Sequence, residues 1–337
     1  MRTLLHNTSR SDPSNQAAEK DRGVVLAFDM GGSHVAAMAR QIGNVFTGNR
    51  VSLPLDETGS EDYLFDRIEE VSRMAFAAVS PRAVLKGIAF AVPGPFDYAN
   101  GISLLQHKLS SWYGVNVRKQ LALRFGIDEM NILFLNDTDA FLLGELEQAS
   151  ASRAIGITLG TGIGAAFAIN DRTVPAMKVL PNNCDLYALP WKGGIVEDFV
   201  STRGIMKLHL DRGGRYCSVK EIAAQFSVDS IATDTMLAFG HELGSVIASY
   251  LLPFAPDIII LGGSIARSPE TFMPAAISEL HGHTNLLRIS THFEKAALLG
   301  SLADWLRQAK SASLGISQMH ARRSSRKSHI DNEPWND

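Results

Sequence analysis

Cysteine is scarce in this sequence, which contains only Cys184 and Cys217 among its 337 residues. Two cysteines cannot supply a disulfide framework, and such sparse use is typical of a reducing compartment. No apolar run reaches the roughly 18 residues that a membrane-spanning helix requires. The polar N-terminal segment also lacks the hydrophobic region of a signal peptide. We therefore expect a cytoplasmic protein with no membrane partner.

An excess of charge of either sign is also absent. The chain has 32 Lys and Arg residues against 35 Asp and Glu residues, which gives a formal net charge of -3. A nucleic-acid-binding domain usually has a strongly basic balance, so we expect no nucleic-acid partner. The hydrophobic fraction of 45% is ordinary for a globular protein, and the length is sufficient for two domains.

The order of polar and apolar segments predicts the domain organisation. Polar composition without apolar periodicity predicts a disordered leader over residues 1–22 and a disordered basic tail over residues 311–337. Between them, short apolar runs alternate with helical patterns, which is typical of α/β architecture. We expect a small N-terminal α/β lobe over residues 23–137 and a large C-terminal α/β lobe over residues 138–310. The last helix of the large lobe could pack on the small one.

Two glycine-rich turns, one in each half of the chain, carry most of the functional information. Asp29-Met30-Gly31-Gly32-Ser33 follows one strand-like apolar run, and Leu159-Gly160-Thr161-Gly162-Ile163-Gly164 follows another. Glycine lets backbone N–H groups approach an anion because no Cβ stands in the way. The paired turns resemble those of actin-like (ribonuclease H-like) ATPases, so the expected fold class is α/β, with two such lobes and a polyphosphate in the cleft between them. The candidate phosphate ligands are Gly31, Gly32, Ser33, Gly160, Thr161 and Gly162.

Asp29 and a third glycine pair extend the predicted nucleotide site. A carboxylate at the end of a strand can hold Mg²⁺ through water while neighbouring amides face a phosphate, so Asp29 is the candidate metal ligand. Gly262-Gly263 follows the strand-like run Asp257–Leu261, where the backbone could pass close to an adenine and a ribose. An ordinary β-turn at Asp29 and a plain strand-to-helix turn at Gly262 are the structural alternatives.

Asn136-Asp137-Thr138-Asp139-Ala140 is the second candidate site. A carboxylate at the tip of a buried strand that faces a cleft suits a general base for an attacking hydroxyl, which makes Asp137 the candidate catalytic residue. Asn136 beside it could hydrogen-bond a polyol. The alternative is that Asp137 or Thr138 is the N-cap of the helix that follows. Both roles are compatible if Thr138 or Asp139 caps a helix from about Asp139 to Gln148.

Together these motifs resemble the ROK family of repressors, uncharacterised reading frames and sugar kinases, within the hexokinase and actin superfamily. Five motifs occur in the family's order: Asp29-x-Gly31-Gly32-Ser33, Val92-Pro93-Gly94-Pro95, Asn136-Asp137-x-Asp139-Ala140, Leu159-Gly160-Thr161-Gly162-Ile163-Gly164 and Ile260-Leu261-Gly262-Gly263. The resemblance implies ATP- and Mg²⁺-dependent phosphorylation of a sugar hydroxyl, with Asp137 as the base. It also implies substrate contacts from Asn136, Gly94 and Glu197. Many members are dimers, which leaves a homodimer open here.

The sequence departs from the family pattern where the sugar is usually held. Lys178 and Pro181 stand where the family's Glu-x-Gly-His motif has Glu and His. Leu189–Glu197 fills the place of the cysteine-rich zinc loop without a cysteine. Structural zinc needs about four N or S ligands, so we expect no zinc site. Glu197 has two interpretations: it corresponds to the family's later sugar-contacting carboxylate, or it is a surface acid near a helix N-terminus. Lys108 and Lys178 likewise have two, as cations of the pocket or as exposed lysines.

Three functions remain open. An intact Asp137 favours an ATP-dependent kinase for the primary hydroxyl of a hexose, an amino sugar or a related sugar-like substrate. The altered sugar contacts suit a cyclitol as well, because a polar pocket rejects ligands that leave its groups unpaired. The third function is a non-catalytic sugar- or nucleotide-binding regulator, although the roughly 22 residues before the first strand are too few for a DNA-binding domain. ATP and Mg²⁺ are the expected cofactors, with polyphosphate as the alternative donor.

Overall fold

The computed structural model describes residues 23–43, 48–77, 79, 83–149 and 151–311. The predicted leader over residues 1–22, and the predicted tail from residue 312 onward, lie outside this part of the chain. The described residues form two five-stranded sheets and two short two-stranded sheets, with helices packed against them. No helix in these ranges is both long enough and apolar enough to cross a membrane.

The first sheet contains the strands on either side of the first glycine turn. The strands of this half are β1 (Gly23–Met30), β2 (His34–Gln41), β3 (Val51–Pro54), β4 (Val84–Val92), β5 (Phe96–Asp97), β6 (Ile102–Ser103) and β7 (Ile132–Asn136). Five of them form the sheet in the order β3-β2-β1-β4-β7, with β1 antiparallel to β2 and parallel to β4. Nearly every residue of β1 is buried, as expected for a central strand that is covered on both faces.

Helices cover one face of the first sheet. They are α1 (Glu61–Ala77) and α2 (Val117–Phe125). In α1 the residues Leu64, Phe65, Ile68 and Val71 are buried, which is the spacing of an amphipathic helix. Phe65 packs on Trp112 with the ring centroids 5.0 Å apart, and both belong to one core cluster with alternate residues of β1.

The second sheet repeats the first. Its half of the chain contains β8 (Arg153–Leu159), β9 (Ile163–Ile169), β10 (Arg172–Val174), β11 (Pro190–Trp191), β12 (Gly194–Ile195), β13 (Ile258–Gly262) and β14 (Leu287–Ile289). The order β10-β9-β8-β13-β14 and the strand orientations match those of the first sheet. Asn170 and Asp171 both have positive φ and join β9 to β10 as a two-residue hairpin turn.

Seven helices accompany the second sheet in the described part of the chain. They are α3 (Asp137–Leu146), α4 (Val196–Phe199), α5 (Thr202–Asp211), α6 (Val219–Ala224), α7 (Ser230–Val246), α8 (Met273–Ser278) and α9 over residues 296–311. The end of α9 packs on the other half of the molecule. Leu298, Leu302 and Trp305 form a buried cluster with Val25 of β1, and the Trp305 Nε1–H donates to the Asn131 carbonyl oxygen at 2.8 Å.

Helices α3 and α9 cross at two glycines. A Cβ added at Gly300 would stand 1.9 Å from the Ala140 carbonyl oxygen, and one added at Gly144 would stand 2.0 Å from the Ala296 carbonyl oxygen. The two backbones are therefore in direct contact, which only glycine permits. This crossing connects the two halves of the molecule.

A buried carboxylate holds the segment that leads into α9. Glu145 of α3 accepts hydrogen bonds from the Ser290 hydroxyl at 2.5 Å, the Thr291 N–H at 2.9 Å and the His292 N–H at 2.9 Å. Its side chain is almost inaccessible to solvent, so its oxygens depend on these donors. The helix that begins at Asp137 thus also positions the residues before α9.

The chain has an α/β fold of two actin-like (ribonuclease H-like) ATPase lobes with a cleft between them. The first lobe contains the first sheet and the second lobe contains the second sheet, and each sheet has the same strand order. The lobe boundary between residues 137 and 138 stays a prediction.

We expect Gly300→Ala to lower the free energy of unfolding by about 1–3 kcal/mol, because the new methyl group forces α3 and α9 apart. Urea unfolding of the purified chain measures this change. Ala309→Val, an exposed position on the same helix, is the control and should change the stability by less than about 1 kcal/mol. Equal stability of the wild type and Gly300→Ala would contradict the close backbone contact.

Candidate active site

A cavity of about 300 Å³ opens between the two lobes. Asp29 of β1 and Asp137 after β7 line its first-lobe side, while Thr158 of β8 and Gly263 after β13 line its second-lobe side. The carboxyl ends of parallel strands from both sheets meet here, which is where open α/β sheets bind ligands. The other lining residues are Phe141, Ser264, Arg267, Phe293, Glu294 and Ala297.

Asp137 is the first residue of α3, and Asn136 caps that helix. The Asn136 side-chain oxygen accepts hydrogen bonds from the Thr138 N–H at 2.9 Å and the Asp139 N–H at 3.4 Å. The prediction that Thr138 or Asp139 caps the helix is therefore wrong, because the Asn136 amide reaches both free N–H groups and the helix begins two residues earlier. The Asn136 amide nitrogen donates to the Tyr98 hydroxyl at 3.1 Å. Asn136 thus orients the start of the helix that carries the candidate base.

Burial is the main influence on the pKa values of the two cavity carboxylates. Burial, followed by the charge of Asp137, raises the pKa of Asp29 to about 7, while the Arg50 charge opposes the shift. Burial also raises the pKa of Asp137, against the Lys108 charge and hydrogen bonds from Thr138. Two such carboxylates resist simultaneous ionisation. A cation bound between them would favour both charged forms.

This pair of carboxylates fits Mg²⁺. The ion prefers oxygen ligands and is usually bound by one or two carboxylates, with water and substrate phosphates completing its coordination. In the described ranges no group of three or more His, Cys, Asp or Glu side chains is arranged to hold a metal. A Mg²⁺ ion at Asp29 would therefore take its remaining ligands from water and from a bound phosphate chain.

Acidic groups also border the space beside the candidate base. Burial, and then the charges of Asp137, Asp185 and Asp304, raise the pKa of Asp139 to about 7. Burial and the charges of Asp137, Asp139 and Asp185 likewise raise the pKa of Tyr98 well above its ordinary value. The surroundings of Asp137 therefore offer many hydrogen-bond acceptors.

The third glycine pair shapes the second-lobe wall of the cavity. Gly263 has a φ of 87°, and an added Cβ would stand 2.2 Å from the Leu159 carbonyl oxygen, so this position requires glycine. Gly262 packs against the Phe141 ring. The 3₁₀ turn that follows the pair brings Arg267 to the cavity.

The second glycine turn lies beside another cavity, of about 560 Å³, which Thr161 lines. The Thr202 hydroxyl donates to the Gly160 carbonyl oxygen at 2.8 Å and so ties the start of α5 to the turn. A Cβ added at Gly162 would stand 2.3 Å from the Glu197 carboxylate, which places Glu197 against the turn. The remaining lining residues of this cavity are Thr202, Arg203, Met206, Lys207, Leu210, Asp211 and Tyr216.

The first glycine turn lines neither of these cavities. The Gly31 N–H donates to the His34 carbonyl oxygen at 3.0 Å, and the Ser33 hydroxyl lies 3.4 Å from a His34 ring nitrogen. A Cβ added at Gly32 would stand 2.3 Å from the Glu57 carboxylate. A carboxylate beside the turn competes with a phosphate for the same donors, and the local sequence pattern does not reveal it.

Two of the three predicted substrate residues lie together. A Cβ added at Gly94 would stand 3.5 Å from the Tyr98 hydroxyl and 4.0 Å from the Asn136 amide nitrogen. Gly94 therefore lies beside Asn136, the residue before Asp137, whereas Glu197 lies against the second glycine turn. The roles of all three residues in substrate binding stay predictions.

Hydrogen bonds anchor the β11–β12 hairpin, which precedes Glu197 at the place of the family's zinc loop. The Trp191 Nε1–H donates to the Glu242 carboxylate of α7 at 2.9 Å. The Tyr250 hydroxyl donates to the Pro190 carbonyl oxygen at 2.6 Å. Side chains on the segment from α7 onward therefore hold the hairpin that leads into α4.

Several residues of the two cavities are absent from the sequence-based candidates. Arg267, Phe293 and Glu294 line the first cavity, and Arg203 and Tyr216 line the second. They come from separate elements and follow no motif. Only Arg267 has a nearby sequence signal among these residues. It follows the Gly262-Gly263 pair, and the turn at this pair brings the residues after it to the cleft.

The fold and the site define a class: a two-lobed protein of the actin-like ATPase type, with an acidic cavity between its lobes. A family model described as "ROK family" matches residues 25–303. The chain therefore belongs to the ROK family.

Similar proteins include sugar kinases and regulators. A glucokinase of Thermotoga maritima is 25% identical over 249 residues, covering 64% of this chain and 74% of that protein. The ROK hexokinase of Thermus thermophilus has a TM-score of 0.67 at 22% identity, covering 86% of this chain and 99% of its own. A ROK family transcriptional regulator, a homologue of the E. coli MLC protein, has a TM-score of 0.68 at 18% identity, covering 84% of this chain and 79% of its own. At these identities the solved structures establish the fold alone.

We expect Asp139→Asn to stabilise the protein increasingly between pH 4 and pH 7. The pKa of Asp139 is raised to about 7 in the folded state, so over this range the folded chain keeps a proton that the unfolded chain has lost. The wild type therefore loses stability as the pH rises through this window, and Asn does not. At pH 8 the variant should be more stable by about 1–3 kcal/mol.

Urea unfolding at pH 4.5, 6 and 8 measures this difference. Asp234→Asn removes an exposed carboxylate from α7 and is the control. The raised pKa of Asp139 would be contradicted if the gain in unfolding free energy of Asp139→Asn did not change with pH, or if the control showed the same gain.

Proposed function

We propose that this protein is an ATP-dependent kinase that phosphorylates a primary hydroxyl of a hexose, an amino sugar or a related polyol, with Asp137 as the general base. One observation carries the proposal: Asp29 and Asp137 line a single cavity opposite Thr158 and Gly263 of the other lobe. A base on one side and a backbone turn on the other suit phosphoryl transfer, in which positioning and charge stabilisation supply most of the catalysis. The sugar kinases among the relatives support this reaction class.

Asp137 has the environment of a general base. It stands at the N-terminus of α3, where the helix dipole favours a negative charge. Burial raises the pKa of Asp137, so its carboxylate takes up a proton more readily than an exposed one. In the proposed step the ionised carboxylate accepts the proton of the attacking hydroxyl while the oxygen attacks the terminal phosphoryl group in line.

Asp29 is the residue that would hold Mg²⁺, which neutralises charge on the transferred group when bound. Thr158 and the turn at Gly263 lie across the cavity and would contact the phosphate chain. Closure of the two lobes would exclude water and protect the donor from hydrolysis.

The second cavity suits the nucleoside part of ATP. Met206 and Leu210 offer apolar surface to a flat base, while Arg203 and Lys207 offer positive charge at the edge. Thr161 joins this cavity to the second glycine turn. A triphosphate would run from here past Gly160, Thr161 and Gly162 toward the first cavity.

The acceptor side of Asp137 suits a polyol. Asn136, Tyr98 and Gly94 lie next to the base, and Asp139 adds a carboxylate. A pocket built of hydrogen-bonding groups selects ligands whose hydroxyls pair with them, because unpaired buried groups are costly. Hexoses, amino sugars and cyclitols all meet this requirement.

Asp137→Asn should lower turnover by about 10²–10⁴-fold, because an amide cannot accept the hydroxyl proton. MgATP binding should remain within a few-fold of the wild type. The measurement is ADP release with MgATP across a panel of hexoses, amino sugars and cyclitols, alongside MgATP binding by calorimetry.

Asp234→Asn is the matched control for this variant and should retain full turnover. Turnover that survives in Asp137→Asn would reject Asp137 as the base. A wild type that binds MgATP but releases no ADP with any acceptor would favour the non-catalytic regulator instead.

Lys108→Met should shift the acid limb of the kcat/KM profile to higher pH. The Lys108 charge lowers the pKa of Asp137 against the effect of burial, so its removal leaves the base protonated up to a higher pH. We expect a several-fold loss of kcat/KM at pH 6 and near-normal activity at pH 9. Lys119→Met, an exposed lysine of α2, is the control, and an unshifted profile in Lys108→Met would contradict the interaction.

A further inference from the structure

Arg267 makes two contacts that the proposed mechanism does not use. Its guanidinium lies over the Phe293 ring, 4.4 Å from the centroid, and its Nη2 pairs with the Glu294 carboxylate. All three residues line the cavity that contains Asp29 and Asp137. About half of the Arg267 side chain is exposed to solvent, so its head group is available to a ligand in the cleft.

The first lobe places a second arginine near the same carboxylate. The positive charge of Arg50 acts on Asp29, His34 and Glu294. Its Nη2 donates to the Ser52 hydroxyl at 3.4 Å, but its buried Nε has no hydrogen-bond partner among the described residues. A buried donor without an acceptor is rare.

Glu294 is the direct counter-ion of Arg267 in the cavity. Burial disfavours its charge, yet hydrogen bonds from its own backbone and from Arg267, with the charges of Arg267 and, more weakly, Arg50, hold the pKa of Glu294 below its ordinary value. The Glu294 carboxylate thus neutralises Arg267 in the free protein.

The cavity has more acidic than basic lining residues, so a bound phosphate chain needs a source of positive charge. Asp29, Asp137 and Glu294 are acidic, and Arg267 is the single basic residue among those that line it in the described part of the chain. Apart from Mg²⁺ at the Asp29–Asp137 pair, a phosphate chain would find its positive charge among these lining residues at Arg267, once Glu294 releases the guanidinium. Arginine suits this role because its planar fork matches the oxygens of a phosphate.

We propose that Arg267, held by its contact with the Phe293 ring, forms an anion clamp for the terminal phosphates of a polyphosphate chain, and that Glu294 occupies this clamp until the phosphates bind. This inference rests on the proposed function, since it concerns the phosphate donor of that reaction. On binding, the phosphate oxygens replace the carboxylate at Arg267, and Glu294, whose side chain is 56% exposed, turns to solvent. The Phe293 ring keeps the guanidinium oriented during the exchange.

The test measures binding to the full chain by calorimetry, with MgATP, inorganic tripolyphosphate and adenosine as separate ligands. Arg267→Met should weaken phosphate-chain binding by about tenfold or more, since it removes a charge-assisted hydrogen-bonding group. Glu294→Gln should tighten the same binding several-fold, because it removes the competing anion. Adenosine, which has no phosphate, should bind all variants equally.

Arg124→Met is the matched control. Arg124 also pairs with a carboxylate, that of Glu69 at 2.9 Å, and also lies over an aromatic ring, that of Phe65 at 4.8 Å, but it does not line the cavity. It should leave the binding of all three ligands unchanged. The clamp would be overturned if Arg124→Met weakened phosphate-chain binding as much as Arg267→Met does. It would also be overturned if Glu294→Gln weakened this binding instead of tightening it.

The outcomes separate the clamp from the kinase reaction. The clamp is supported if Arg267→Met weakens and Glu294→Gln tightens the binding of both MgATP and tripolyphosphate. If only the binding of tripolyphosphate changes in this way, the clamp is supported with inorganic polyphosphate as its occupant. Normal binding of both MgATP and tripolyphosphate in Arg267→Met, with normal phosphoryl transfer, would overturn the clamp and leave the kinase in place. If the two variants change phosphate binding in these opposite directions but the wild type releases no ADP, the clamp is supported and the kinase is rejected. A wild type that binds neither phosphate ligand would overturn both.

Discussion

Helix α3 connects the parts of the molecule on which the candidate site depends. Its first residue is Asp137, its Gly144 allows direct backbone contact with α9, and its Glu145 accepts the hydrogen bonds that hold residues 290–292. The residues that come next, Phe293 and Glu294, form a wall of the cavity. One helix therefore determines the distance between the candidate base and the opposite side of the cleft.

The charges around the cleft form a second layer of organisation. Acidic groups gather at Asp29, Asp137 and Asp139, and burial raises the pKa of each. Arg267 pairs with Glu294 in the same cavity as Asp29 and Asp137. Such an arrangement suits a site that holds cations and anionic phosphates together, because the carboxylates attract a cation and the guanidinium attracts a phosphate.

The turn and cap motifs show how far sequence reasoning reaches. The glycine pair at 262–263 occurs where a positive φ and a close backbone contact require glycine. Asn170 and Asp171, two residues that tolerate a positive φ, form the hairpin turn between β9 and β10. The cap of α3 was predicted one or more residues too late, because Asn136, Thr138 and Asp139 can all cap a helix and only the geometry selects among them. These features depend on neighbours in the chain, so the pattern alone identifies most of them.

The sequence by itself determined the α/β class, the presence of two similar lobes and the positions of the glycine turns, and it predicted Asp29 and Asp137 as candidate site residues. All of these follow from local residue preferences and from their repetition along the chain. Only the tertiary structure decided that Glu57 lies beside the first turn and that Glu197 lies against the second. It also decided that Arg267 and Glu294 pair in the cavity. The physical reason is that such contacts join side chains far apart in sequence, and only the folding of each lobe brings these partners together.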